Sequence, residues 1–167
     1  MVKSALIIID LQNGVCKSDQ VIFNYENLIS KINRRIDYYR SQNLPIIFIQ
    51  HEDNFLQKNS TAWQLVSDLH YKKNDILLSK KHPNSFYQTN LEKILENLGI
   101  NNLEICGAQT EYCVDATIKM AHGLGYQVIM QHNTSSTFDN KHMTAEDTIN
   151  FFENIWNNRF LTLFDLK

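Results

Sequence analysis

No apolar run in this 167-residue chain approaches the ~20 residues a membrane-spanning helix needs, so no membrane partner is expected. The opening run Ala5–Ile9 is cut off by Asp10, short of the ~7–15 apolar residues of a secretory signal, and no small-residue cleavage site follows. A cytoplasmic location is the expectation. Cysteine is scarce: Cys16, Cys106 and Cys113 are odd in number and irregular in spacing, which is no disulfide framework. In a reducing compartment they stay thiols, and one of them is available as a nucleophile. Lysine and arginine never cluster beyond pairs, and the net charge is -2, so nucleic acid is not an expected partner. Neither G-x-G-x-x-G nor G-x-x-x-x-G-K-[ST] occurs, which argues against a nucleotide binder. There is no internal repeat, low-complexity tract or linker, so residues 1–167 read as one domain.

What the chain does have is an alternation of short apolar runs and helical patterns. Ala5–Asp10, Ile46–Gln50, Asp75–Ser79, Leu103–Gly107, Tyr126–Met130 and Phe160–Phe164 read as strands. The first two are apolar at successive positions, as strands covered on both faces are. Between them, Asn27–Gln42, the Leu91–Leu98 face closed by Gly99, Thr110–Gly123 and Thr144–Asn157 carry helical spacing. This order predicts an α/β fold with three α/β/α layers and a mainly parallel six-stranded sheet, strand order 3-2-1-4-5-6. Glu52–Asn74 is polar and long for a plain connection, which marks it as a functional loop or lid.

Ligands of open parallel sheets bind beyond the carboxyl ends of the strands. Asp10 ends strand one, Lys80 follows strand three, and Cys113 follows strand four at the start of a helix. An acid, an amine and a thiol therefore fall on one rim. The helix N-terminus and an ammonium favour thiolate, while a carboxylate opposes it but accepts the thiol proton and passes it on to a leaving group. The turn Gly107–Thr110 offers backbone N–H groups to a developing oxyanion.

Three stretches carry a resemblance: Ile7–Gln12; Ser79–Phe86 with Thr89–Leu91; and Cys106–Val114 (CGAQTEYCV). In order and spacing the chain resembles the isochorismatase-like cysteine hydrolases, a superfamily that includes nicotinamidases and other small-amide hydrolases. The resemblance implies Cys113 as nucleophile, Asp10 as general base and Lys80 beside both. It implies an oxyanion hole from the backbone N–H groups of Gln109 and Cys113, and a cis peptide at Ala108–Gln109. Lys80 is preferred over Lys81 because the family's lysine lies six residues before the aromatic that closes its motif, here Phe86. Nicotinamidases bind a metal through an acid and histidines after the second strand. Here Ile49 stands where the acid belongs and no second histidine follows His51 nearby, so neither metal nor cofactor is expected. Gln50-His51 and Trp63 look closer to a metal-free branch that includes streptothricin hydrolase-like amidases. The resemblance further implies a small-molecule substrate and a homodimer or larger homo-oligomer.

The expected activity is hydrolysis of a small non-peptide amide through a thioester. The rivals are isochorismatase-type ether cleavage and a catalytically idle interaction domain. Gln12, His51, Phe86 and Tyr112 are the candidates for substrate contact. Each also has a plainer reading: Gln12 as a turn residue, and Phe86 and Tyr112, like Trp63 and Phe55, as core. Cys106 reads as a core residue, and His70, His122 and His142 read as surface.

Overall fold

The computed structural model describes residues 3–166. β1 (Ser4–Ile9), α1 (Asn13–Cys16), α2 (Tyr25–Ser41), β2 (Ile46–His51), β3 (Ile76–Lys80), α3 (Leu91–Leu98) and β4 (Asn102–Ala108) form the first part of the chain. A π-helical turn, Thr110–Val114, leads into α4 (Asp115–Gly123). Then come β5 (Gln127–Gln131), β6 (Ser135–Ser136), α5 (Ala145–Trp156) and β7 (Thr162–Phe164).

The sheet runs β3-β2-β1-β4-β5-β7, with the short β6 beside the end of β4. Every paired strand is parallel. The expected order holds, with two adjustments: the last strand is shorter than Phe160–Phe164, and Ser135–Ser136 adds a seventh. Two residues carry too little pattern for a periodicity to register.

Alternation explains why β1 has no polar face. Ile7 and Ile9 join a core with Leu91, Leu95, Ile118 and Trp156, from α3, α4 and α5. Leu6 and Ile8 join the opposite core with Leu28, Ile32 and Ile36 of α2. Each fully buried aliphatic side chain contributes about 1.5–3 kcal/mol, so β1 anchors both layers. α2 is fastened by a buried bidentate pair: Arg35 Nε and Nη2 donate to Glu104 Oε1 and Oε2 of β4 at 2.6 and 2.7 Å. No helix among the described residues is long and apolar enough to cross a membrane.

Segment 52–74 contains no helix or strand, yet it is not a free lid. Its backbone is laced to the chain after β1: Asn13 N–H donates to Gln64 O, Gly14 N–H to Ala62 O and Val66 N–H to Leu11 O. Leu56, Val66 and Leu69 are buried beneath it.

Candidate active site

Three strand ends build the site. β1 stops at Asp10, whose φ of 51° lies in the left-handed region that aspartate tolerates better than most residues. This bend turns its carboxylate away from the strand's alternating pattern. β2 and β3 pair in register His51↔Lys80, so their last residues emerge side by side. β4 is held against β1 by Gly107, at φ 128°. A Cβ there would collide with the Ile9 carbonyl oxygen and lie 2.6 Å from the Ile9 nitrogen. Only glycine permits that approach, and it brings the segment carrying Cys113 up to the end of β1. The Ala108–Gln109 peptide that follows is cis.

Lys80 stands at the centre. Its Nζ donates to Asp10 Oδ2 at 2.7 Å and to Cys113 Sγ at 3.2 Å, and lies 3.1 Å from His51 Nδ1. The Lys80 side chain is fully buried and that of Asp10 nearly so. Cys113 is partly exposed, the opening an approaching carbonyl needs. Lys81, by contrast, is exposed and lies 3.9 Å from Glu52. An oxygen of Asp10, a ring nitrogen of His51 and Cys113 Sγ lie within 4.8 Å of one another, close enough to meet around one metal ion. The Lys80 ammonium contacts all three residues, so an ion there would have to displace it.

The electrostatics differ from a preformed thiolate. Burial and the Asp10 carboxylate push the Cys113 thiol up to about 12, against the opposing pull of Lys80. Burial likewise raises Asp10 above the ordinary carboxylate range, although Lys80 opposes it. Cys113 is held as a thiol beside an acid whose Oδ1 is buried and has no hydrogen-bond partner among the described residues. Burial and Lys80 lower His51 below the usual imidazole value.

The other candidates separate. All of Gln12's amide is occupied: Nε2 donates to His51 O and Trp63 O, and Oε1 accepts from His51 N–H. It is a clamp between β2 and the 52–74 loop. Phe86 is 7% exposed and stacks on Tyr126 in the α3/α4 core. Tyr112 is 58% exposed next to the thiol. Phe55, open to a core reading from sequence, is 88% exposed, and Cys16 is buried. Two contacts escaped sequence reasoning. Asp53 Oδ2 lies 3.6 Å from His51 Nε2, and Thr137 donates to Glu111 Oε1 at 2.8 Å. Asp53's proximity in sequence to His51 was the available signal for the first; nothing flagged the second. A cavity of about 540 Å3 lined by Tyr126, Gln127 and Phe160 lies at the other end of the sheet, away from this chemistry.

A parallel α/β sheet with an acid, an amine and a thiol gathered on its carboxyl rim is the layout of a hydrolase that keeps a cysteine at its site. Comparison with known proteins gives the family. The isochorismatase domain model matches residues 4–156, and the chain belongs to that family of isochorismatase-like hydrolases. A solved structure of an isochorismatase family protein superimposes with a TM-score of 0.95 at 45% identity, covering 97% of this chain and 98% of that one. A secreted isochorismatase effector of Verticillium dahliae is 31% identical over 132 residues, 76% of this chain and 69% of its own length. Streptothricin hydrolase of Streptomyces noursei is 21% identical over 138 residues, 81% of this chain and 50% of its own length.

Proposed function

We propose that this chain hydrolyses the carbon–nitrogen bond of a small, non-peptide amide in the cytoplasm, through a thioester on Cys113. The observation that carries the reading is the meeting of Lys80 Nζ with Asp10 Oδ2 at 2.7 Å and Cys113 Sγ at 3.2 Å. Similarity to streptothricin hydrolase adds to it.

Because the thiol is held protonated, attack begins with proton transfer. Cys113 Sγ–H passes its proton to Asp10, whose Oδ1 is free to accept. The sulfur bonds to the amide carbon, and the N–H groups of Gln109 and Cys113 hold the oxygen that gains charge. Asp10 returns the proton to the nitrogen as the C–N bond breaks, and the amine leaves. Asp10 then takes a proton from water, the hydroxide opens the thioester, and the acid departs with Cys113 restored as a thiol. Lys80 Nζ donates to both Asp10 and Cys113 and so steadies whichever of them is negative. We further propose that a second copy of the chain borders the opening at Tyr112, which is exposed and adjoins Cys113 in sequence.

The test is turnover of a panel of small amides, with intact-protein mass spectrometry under single-turnover conditions. The expected result is an acyl adduct on Cys113 and loss of turnover in Cys113→Ser. Wild-type turnover by the serine variant refutes the assignment. Amide turnover without any adduct refutes the thioester, whereas turnover of a vinyl ether with no amide cleaved and no adduct assigns the site to ether cleavage instead.

A further inference from the structure

The mechanism above leaves one polar side chain of the cluster without a task. His51 ends β2 beside Lys80, its backbone is gripped on both sides by Gln12, and its ring is not turned to the solvent: the side chain is 18% exposed.

The hydrogen count at Lys80 assigns it a role. An ammonium carries three hydrogens and accepts none. Lys80 has three partners within reach: Asp10 Oδ2, Cys113 Sγ and His51 Nδ1. Each hydrogen is used only if Nδ1 is a bare acceptor, which puts the ring proton on Nε2. Nε2 in turn faces Asp53 Oδ2, 3.6 Å away. Asp53 is set by its own turn, its Oδ1 accepting the N–H groups of Phe55 and Leu56 at 2.8 and 2.7 Å. A carboxylate on the Nε2 side favours the tautomer that leaves Nδ1 open toward Lys80.

We propose that His51 is a positioning residue that fixes the Lys80 ammonium between Asp10 and Cys113, and that Asp53 selects the His51 tautomer able to do so. This rests on the hydrolase reading and assigns that site a further layer. It also gives the 52–74 loop a part in the chemistry, through Asp53 rather than through movement. Nδ1 is then taken by Lys80, while Nε2 lies in electrostatic contact with Asp53 at 3.6 Å, longer than a hydrogen bond. Protonating Nδ1 would set an N–H against the ammonium and release Lys80. The charged and titratable groups around the ring are Lys80, Asp10, Cys113, Asp53 and His82, and burial and Lys80 act together to keep it neutral.

The test needs no knowledge of the substrate: the rate of Cys113 alkylation by iodoacetamide as a function of pH, read by mass spectrometry on the full chain. The variants are His51→Ala, His51→Asn, Asp53→Asn and Lys80→Met. Asparagine at 51 keeps an acceptor at the Nδ1 position and does not titrate. Asparagine at 53 keeps the oxygen that accepts from Phe55 and Leu56, but can present an amide donor to Nε2 and so favours the wrong tautomer. We expect His51→Ala and Asp53→Asn to slow alkylation at neutral pH about tenfold, in the direction of Lys80→Met. His51→Asn stays near the wild-type rate and, toward acid, follows only the fall in thiolate, without the additional drop that protonation of His51 causes in the wild type. Asp53→Asn changes one atom of a side chain that is 43% exposed, so it keeps the test alive if His51→Ala fails to fold. Wild-type rates and pH dependence in both His51→Ala and Asp53→Asn, with Lys80→Met slowed, overturn the proposal and leave the hydrolase reading standing. A wild-type Cys113 that reacts no differently from its own unfolded chain sinks both.

Discussion

Replacing Lys80 by methionine removes the charge and keeps most of the volume, which makes it the sharpest perturbation of the site. Both partners of the Lys80–Asp10 pair are buried, at 0% and 3% side-chain exposure. Removing one partner strands the other, and such losses run to about 3–5 kcal/mol. For a domain of this size that lowers Tm by about 6–20 °C, at roughly 2–4 °C per kcal/mol. The loss carries a signature in pH. With the ammonium gone, burial acts on Asp10 with less opposition, so its folded pKa rises further above the ordinary 3.8. The folded state then holds a proton that the unfolded state releases. Its stability contribution is full below the ordinary carboxylate range and disappears as pH rises through the folded value. The deficit of Lys80→Met against wild type is therefore small in mild acid and largest at neutral pH. Urea unfolding at both conditions measures it. Adding Asp10→Asn, which keeps a side chain tolerant of φ 51°, recovers most of the loss. A deficit of constant size across that range, or no recovery in the double variant, refutes the reasoning.

Two further outcomes follow from the same geometry. Gly107→Ala drives a methyl into the Ile9 backbone, which cannot yield as a side-chain tip can, so expression falls or stability drops by about 3 kcal/mol or more; soluble yield and urea midpoint report it. The Cys113 thiol is lifted from 9.0 to about 12, so between those values the folded chain keeps a proton that the unfolded chain has lost. Stability conferred by this group thus falls as pH rises through that window, by up to about 4 kcal/mol at ~1.4 kcal/mol per unit, and Cys113→Ala unfolds with a shallower alkaline decline than wild type.

The parts of the fold that sequence reveals are those set by burial alone. Ile7–Ile9 and Ile46–Ile49 are apolar on consecutive positions because each faces a different core, and that pattern is visible without coordinates. Gly99 closes α3 at φ 65°, and Thr144 caps α5 by accepting the Asp147 N–H, as local chemistry dictates. The rim position of Asp10, Lys80 and Cys113 followed from strand ends. What sequence did not reveal depends on which distant neighbour arrives. Phe86 lies against the motif that suggested a substrate contact, but Tyr126, forty residues on, draws it into the core. Gln12 reads as a turn residue until Trp63 and His51 close on its amide. The raised thiol was masked for the same reason: helix terminus and ammonium are legible locally, whereas the burial that outweighs them is a property of the assembled sheet.

Lys80 closes β3, and β3 is an outer strand, bonded to β2 on one flank only. Outer strands open at lower free energy than the middle of a sheet. The component that ties the reactive cluster together is thus mounted on one of the sheet's two outer strands rather than on its middle. Mild denaturant is therefore expected to part Lys80 from Cys113 while β1 and β4 are still paired, leaving the thiol without its ammonium in an otherwise native molecule.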